Sequence, residues 1–247
     1  MVKRIAILGS TGSIGSNALD VISRSRGRLK VVALSAESNT GLLERQAARF
    51  RPKAVCVGSA ALKRRPRFGL PAATRILDGP GGLAEIVSRR DIDMVLLAIS
   101  GNACIAPLVE AIKAHKAIAL ANKEAMVSAG PLIMALARSN GVKILPVDSE
   151  HSAIFQCLDN GPSPASRIYL TGSGGPLLNV EAGRFDRLRP EFVLRHPKWK
   201  MGRKISVDSA TMMNKGLEII EAQALFGLPQ ERIDVLIHPE AIVHSMV

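Results

Sequence analysis

Apolar and polar positions fall into alternating blocks along the first 150 residues. Short β-branched runs ("KRIAILGS", "LKVVALSA", "KAVCVGS") are separated by "IGSNALDVISR" and "TGLLERQAARF", whose apolar residues recur at helical spacing. Continuously apolar runs predict strands covered on both faces, and the recurrence between them predicts amphipathic helices. "DIDMVLLAIS", "KAIALAN" and "VKILPV" extend the strand series, with helices over "APLVEAIKAH" and "GPLIMALARSN". The alternation predicts an α/β fold, a Rossmann-like doubly wound parallel sheet over residues 1–150.

Beyond residue 150 the pattern changes. Gly, Pro and Ser cluster in "DNGPSPASR" and "TGSGGPLLN", a helix is predicted in "NKGLEIIEAQALFGLP" (214–229) with its C-terminus marked by Gly227 and Pro229, and "IDVLIHP" reads as one more strand. A smaller α+β domain over 151–247 is the expectation. "HSMV" is apolar and uncapped and reads as the cut end of a longer protein. At the other end, the first strand starts so early that no signal or transit peptide is expected.

Composition narrows the class. With 47% hydrophobic and 22% charged residues the chain reads as soluble and globular, and no run of 18 apolar residues suggests a membrane span. Cys56, Cys104 and Cys157 lie far apart in apolar surroundings and are expected as buried thiols in a reducing cytoplasm. The net charge of +12 favours anionic partners. "KRRPR" (63–67) lacks interleaved aromatics, which argues for a solvated loop and against nucleic acid. A phosphorylated substrate or cofactor suits the charge equally well.

Candidate chemistry begins at "ILGSTGSIGSNAL", where Gly9, Gly12 and Gly15 sit between the first strand and first helix. Backbone N–H groups and a helix N-terminus there can receive a diphosphate, although the spacing is not the GxGxxG fingerprint. The second strand ends at Glu37, Ser38 and Asn39. A carboxylate at this place accepts from a ribose 2′-hydroxyl, whereas Ser38 and Asn39 can donate to a 2′-phosphate, so NAD and NADP both stay open. Asn122, Lys123 and Glu124 follow the strand at "KAIALAN", at a carboxyl end of the sheet.

Asp148 and Glu150 in "VDSEH" are two apart on what reads as extended chain, which turns both carboxylates to one face. If they converge, one pKa must rise or a cation must sit between them, for which all-oxygen ligation suits Mg²⁺ or Mn²⁺; a solvated strand end is the alternative. A third acid is needed, and its candidates lie in "ISVDSATMMNKGLEIIEAQ", where Glu218 falls in the first turn of the predicted helix. Ser206, Ser209, Thr211, Asn214 and Lys215 near that helix start, and Ser173 in "TGSGGP", are phosphate-binding types. Trp199, the only tryptophan, lies in the basic run "RHPKWKMGRK" and reads either as a lid or as surface packing.

Together "GSTGSIG", "NKE", "VDSEHSAIFQ", "TGSGGP", "HPKWKMGRKISVDSATMMNKGLE" and "HPEAIVHSM" closely resemble the 1-deoxy-D-xylulose 5-phosphate reductoisomerase family, in family order and over nearly the whole chain. The resemblance implies NADPH contacts from Thr11, Gly12, Ser13, Ile14, Ser38, Asn39, Asn122, Glu124 and Gly202. It implies a divalent metal on Asp148, Glu150 and Glu218. Substrate contacts would come from Lys123, Ser149, Glu150, Ser173, His196, Ser209, Asn214, Lys215 and Glu218, with Lys123, His196 and the three acids as the catalytic set. His151 and His244 match supporting histidines.

The implied reaction is rearrangement and NADPH-dependent reduction of 1-deoxy-D-xylulose 5-phosphate to 2-C-methyl-D-erythritol 4-phosphate, in non-mevalonate isoprenoid synthesis. Glu37 departs from the small or basic residue expected for NADP. A homodimeric, cytoplasmic parent with a further C-terminal helical domain is also implied, and the 247-residue chain is expected to be weakly active or inactive alone. The alternatives are an NAD(P)-dependent dehydrogenase of another small phosphorylated substrate and an inactive NADPH-binding module.

Overall fold

A computed structural model of the chain describes residues 2–64, 69–158, 166–195 and 202–247, the side chain of Ala182 excepted. It divides into two compact units, Met1–Leu145 and Pro146–Val247. The division falls ahead of the predicted boundary after residue 150, because the last sheet strand ends at Pro146 and a helix starts at Ser149.

In the first unit β1 (Lys3–Leu8), α1 (Ser13–Arg24), β2 (Leu29–Ala36), α2 (Thr40–Phe50) and β3 (Ala54–Val57) follow the predicted alternation. Then come α3 (Ser59–Arg64), β4 (Arg75–Asp78), α4 (Gly79–Ser88), β5 (Met94–Leu97), α5 (Ile105–Lys113), β6 (Ala117–Leu120), α6 (Lys123–Ser139) and β7 (Ile144–Pro146). The sheet order is β4-β3-β2-β1-β5-β6-β7, and β1 pairs in parallel with both β2 and β5. Chain direction across the sheet therefore reverses beside β1, the place where open α/β sheets receive ligands.

Strand β4 was not predicted. It is an edge strand with only Leu77 buried, so it carries no apolar run. Helix α6 starts at Lys123, well before the predicted "GPLIMALARSN". Asn122 caps it, and a break at Ala129 ahead of Pro131 separates its first turns from the predicted part. Ile7, Leu8, Leu34, Val55 and Leu97 are fully buried in the sheet core, each contributing roughly 2 kcal/mol of apolar burial.

The β1–α1 loop is fitted to β5 by Gly9. Its φ is +88°, and a Cβ there would lie 2.3 Å from the Ala98 carbonyl oxygen. Both the dihedral and the approach exclude larger residues. We therefore expect Gly9→Ala to cost the first unit at least about 2 kcal/mol, read by chemical denaturation. A loss under about 0.5 kcal/mol, the scale of ordinary surface substitutions, would contradict this account of the loop.

The second unit contains α7 (Ser149–Leu158), β8 (Ile168–Gly172), α8 (Pro190–Val193), α9 (Arg203–Ala210), α10 (Met213–Phe226), β9 (Ile233–Ile237) and β10 (Ser245–Met246). Its sheet order is β10-β8-β9, with β8 parallel to β9 and antiparallel to β10. Ile154 of α7 and Ala222 of α10 pack with Ile168, Leu170 and Ile233 in one apolar core. Helix α10 ends at Phe226 beside a left-handed Gly227, the glycine expected to mark its C-terminus. Cys56 and Cys104 are buried as expected, but Cys157 is exposed, one residue before the end of α7. Among the described residues no helix is long and apolar enough to cross a membrane.

Candidate functional site

Asp148 and Glu150 do not lie on extended chain. Ser149 begins α7, and the Asp148 carbonyl accepts from the Ser152 N–H at 2.8 Å. The strand is only three residues long, and "SEHSAIFQ" has the composition to continue as a helix. Convergence of the acids therefore comes from helix geometry. Asp148 stands at the N-terminal boundary of α7 and Glu150 in its first turn, where the helix dipole favours carboxylates.

Helix α10 brings the third acid. Lys215, Glu218 and Glu221 recur at three-residue spacing and are all buried, so its inner face is charged. Glu218 lies a turn beyond Lys215, later than the predicted first-turn position. Ligand atoms of Asp148, Glu150 and Glu218 all fall within 4.8 Å of one another. Two unit charges at such a separation repel by about 3 kcal/mol at an effective dielectric constant of about 20.

The cost is relieved locally. The Lys215 ammonium donates to Glu150 Oε1 at 3.1 Å and also to Glu218 Oε2 and the Thr171 carbonyl. Asn214 Nδ2 donates to Glu218 Oε1 at 2.6 Å, and the Ser149 hydroxyl donates to Glu150 Oε2 at 2.6 Å.

His151, fully buried, ties the two helices together. Nδ1 lies 2.9 Å from Asp148 Oδ2 and Nε2 lies 3.0 Å from the Glu218 backbone carbonyl. A carbonyl and a carboxylate only accept, so both ring nitrogens donate and the ring is an imidazolium. Glu221 Oε2 stands 3.6 Å from Nδ1 on the same side. Burial pulls the His151 pKa down, but the Asp148 hydrogen bond and the charges of Glu221, Asp148 and Glu218 outweigh it and raise it to about 9.

The sign follows from linkage. A folded-state pKa above the unfolded value, about 6.5, gives stability that is complete below pH 6.5 and is lost as pH rises through 9. We expect the metal-free chain to lose about 2–3 kcal/mol between those limits and His151→Gln to flatten that slope. A parent profile flat from pH 6 to 9.5 would contradict the imidazolium.

Among the described residues two clusters of potential ligands share Asp148, namely Asp148–Glu150–Glu218 and Asp148–His151–Glu221. The second is a poor metal site, since both nitrogens of His151 already carry protons. The first offers only hard oxygens and fits Mg²⁺ or Mn²⁺. Among the described residues the Lys215 ammonium pairs with Glu150 and Glu218, and the His151 ring lies beside Asp148 and Glu221.

The expected phosphate ligands gather beside it. Ser173 Oγ accepts from the Gly175 N–H at 3.3 Å. Gly175 has φ +68°, and a Cβ there would lie 2.6 Å from the Ser209 carbonyl oxygen, which brings "TGSGGP" against the end of α9. Gly172 of the same segment lies against the Lys215 side chain, and Asn214 and Lys215 occupy the first turn of α10. Gly202 is the N-cap of α9. His196 and Trp199 lie outside the described residues, as do 65–67 of the basic run.

In the first unit Thr11 and the exposed Gly12, Ser13 and Ile14 form the mouth of the β1–α1 loop, and no side chain caps α1. Exposed Glu37 and Ser38 follow β2, while Asn39 Oδ1 accepts from the Leu42 N–H at 3.2 Å, an N-cap that leaves its amide as a donor. Lys123 and Glu124 open α6. Asn122 is buried, and its side chain accepts from Ala125 N–H and donates to the Ile99 and Gly101 carbonyls. Those bonds fix the loop after β5, so any cofactor contact at this position falls to backbone atoms. Burial pushes the thiols of Cys56 and Cys104 up to about 12, which leaves them inert.

Sequence patterns missed Glu221 and the bridging geometry of His151. The available signal was the charged triplet at three-residue spacing on a helix whose outer face had no need of it.

Comparison with known proteins bears on the whole arrangement. The family profile described as 1-deoxy-D-xylulose 5-phosphate reductoisomerase matches residues 5–130, and that of its C-terminal domain matches residues 144–226. The chain is 52% identical over 248 aligned positions to the 1-deoxy-D-xylulose 5-phosphate reductoisomerase of Chloroherpeton thalassium, covering all of this chain and 64% of that protein. A crystal structure of a DOX-P reductoisomerase in complex with NADPH, fosmidomycin and magnesium superposes with a TM-score of 0.91 at 40% identity, over 99% of this chain and 63% of that one. The Zymomonas mobilis enzyme in complex with NADPH gives 0.88 at 39% identity, over all of this chain and 64% of that one. The chain thus spans less than two thirds of the relatives it matches. By its sequence profile over most of its length, the chain belongs to the 1-deoxy-D-xylulose 5-phosphate reductoisomerase family.

Proposed function

We propose that this chain carries the cofactor-binding and metal-binding machinery of an enzyme that rearranges and reduces 1-deoxy-D-xylulose 5-phosphate to 2-C-methyl-D-erythritol 4-phosphate. The observation that carries this reading is the Asp148–Glu150–Glu218 cluster beside the phosphate-binding types of α10 and "TGSGGP". A simple hydride transfer requires no such cluster. Relatives crystallised with NADPH, magnesium and fosmidomycin support the same assignment.

Asp148, Glu150 and Glu218 would hold the divalent cation, Mg²⁺ or Mn²⁺. When bound, the cation supplies a Lewis acid for the substrate's ketone and adjacent hydroxyl, and NADPH supplies the hydride. The chain's own residues set up the rest. Ser173, Ser209, Asn214 and Lys215 would receive the phosphate, with Ser149, His196 and Lys123 as further substrate contacts. Thr11 to Ile14, Ser38, Asn39, the Asn122 backbone, Glu124 and Gly202 would receive the dinucleotide. His151 keeps Asp148 turned toward the acid cluster. A cytoplasmic homodimer with no nucleic-acid or membrane partner completes the reading.

The test is oxidation of NADPH by the full-length protein with 1-deoxy-D-xylulose 5-phosphate, with and without Mn²⁺. Metal-dependent turnover with formation of the branched product is expected. Equal turnover in the presence of a chelator, or reduction without skeletal change, would sink the proposal.

A further inference from the structure

Beneath the β1–α1 loop lies a buried polar network that belongs to none of the expected contacts. Gln46, on the inner face of α2, is buried, as are Ser10 and Ser35. Its carboxamide uses both ends on one residue. Gln46 Oε1 accepts from the Ser10 hydroxyl at 2.7 Å, and Gln46 Nε2 donates to the Ser10 backbone carbonyl at 2.8 Å. Ser35 holds the neighbouring peptides from β2. Its carbonyl accepts from the Ser10 N–H at 2.8 Å and its hydroxyl accepts from the Gly9 N–H at 3.0 Å.

The consequence lies in peptide geometry. All described peptide bonds are trans, so the C=O of Ser10 and the N–H of Thr11 point in opposite directions from one plane. With the Ser10 carbonyl turned inward onto Gln46, the Thr11 N–H is turned outward, toward the mouth lined by Gly12, Ser13 and Ile14. Rotation of this peptide would reverse the polarity and present a carbonyl oxygen where a diphosphate needs a donor. Gln46 offers one acceptor and one donor to Ser10 at shorter range than the other partners, the Ser35 carbonyl at 3.1 Å from the Ser10 hydroxyl and the Ser16 hydroxyl at 3.4 Å from the Ser10 carbonyl, and in a buried site a mismatch is costly.

We propose that Gln46 is a positioning residue for dinucleotide binding, which fixes the Ser10–Thr11 peptide in the orientation that offers its N–H to the cofactor's diphosphate. This rests on the NADPH reading above. Gln46 touches no cofactor atom. It acts through the loop, so its effect should be confined to ligands that carry a diphosphate.

The experiment measures binding to the 247-residue chain and to Gln46→Glu and Gln46→Leu. NADPH is followed by its fluorescence. 2′-Phospho-ADP-ribose, which has the diphosphate, and 2′-AMP, which lacks it, are followed by calorimetry. Gln46→Glu keeps the shape and the acceptor but sets an oxygen against the Ser10 carbonyl, so it remains informative if Gln46→Leu fails to fold. We expect the dissociation constants of NADPH and 2′-phospho-ADP-ribose to rise about tenfold or more in either variant, with 2′-AMP changed less than about twofold. A folded Gln46→Glu that binds NADPH within about twofold of the parent would overturn the proposal. So would equal weakening of all three ligands, which would make Gln46 a packing residue. If the parent itself binds no NADPH, the cofactor reading fails and takes this inference with it; parental binding with unchanged variants removes only the role of Gln46.

Discussion

Glu218→Gln is expected to lower Mn²⁺ affinity at least about 100-fold and to reduce metal-dependent turnover of the full-length protein by at least about 1000-fold. Glu218 is almost completely buried, and its carboxylate is held by Asn214 Nδ2 and Lys215 Nζ. The amide keeps the volume but removes one of the three proposed anionic ligands. It also places an NH₂ group where oxygen must face either the cation or the existing donors. Two carboxylates, Asp148 and Glu150, remain, and Lys215 competes for the second of them. Mn²⁺ titration followed by electron paramagnetic resonance reads the affinity directly, without reference to activity. Binding within about threefold of the parent would show that the cation sits elsewhere.

Lys215→Met is expected to destabilise the metal-free second unit by about 3–5 kcal/mol, with a large part restored by saturating Mn²⁺. The Lys215 side chain is 6% exposed and pairs with Glu150 and Glu218, themselves 17% and 1% exposed. Methionine fills similar volume and removes the charge, so two carboxylates face each other with one cation fewer. A divalent ion between them supplies the missing charge, and the variant should gain more stability from Mn²⁺ than the parent does. Urea denaturation with and without Mn²⁺ makes the comparison. A metal-free loss below about 1 kcal/mol, or no greater gain from Mn²⁺ in the variant, would mean that the lysine does not balance the acid cluster.

On the proposed reading Glu218 would ligate the cation, whereas Lys215 would carry charge balance in its absence. The lysine is also an expected phosphate ligand, and its position between the carboxylates and the "TGSGGP" segment lets one ammonium answer to both.

Much of this was legible along the chain. Buried parallel strands such as Leu29–Ala36 carry a central apolar run, Val31 to Leu34, by which they can be read directly. Helix α2, with its apolar spacing and Asn39 cap, is equally plain. The identities of the three acids and of the phosphate-binding types were accessible because carboxylates, serines and lysine were concentrated in short motifs. The edge strand Arg75–Asp78 and the early start of α6 were not accessible, since exposure removes the apolar signal from the one and Pro131 disguises the other.

What local pattern determined, then, was the α/β alternation, the glycine loop after the first strand and the supply of acids. Each of those depends on residues near one another in sequence. How the acids meet depended on the third dimension: "VDSE" is a helix start rather than a strand, and α10 delivers Glu218 from far along the chain to the same point. The same holds for His151 against the Glu218 carbonyl and for Gln46 against Ser10, contacts between residues 67 and 36 positions apart. Side chains of this kind carry no periodic signal of their own, because their partners are chosen by packing between elements, and packing exists only once the chain has folded.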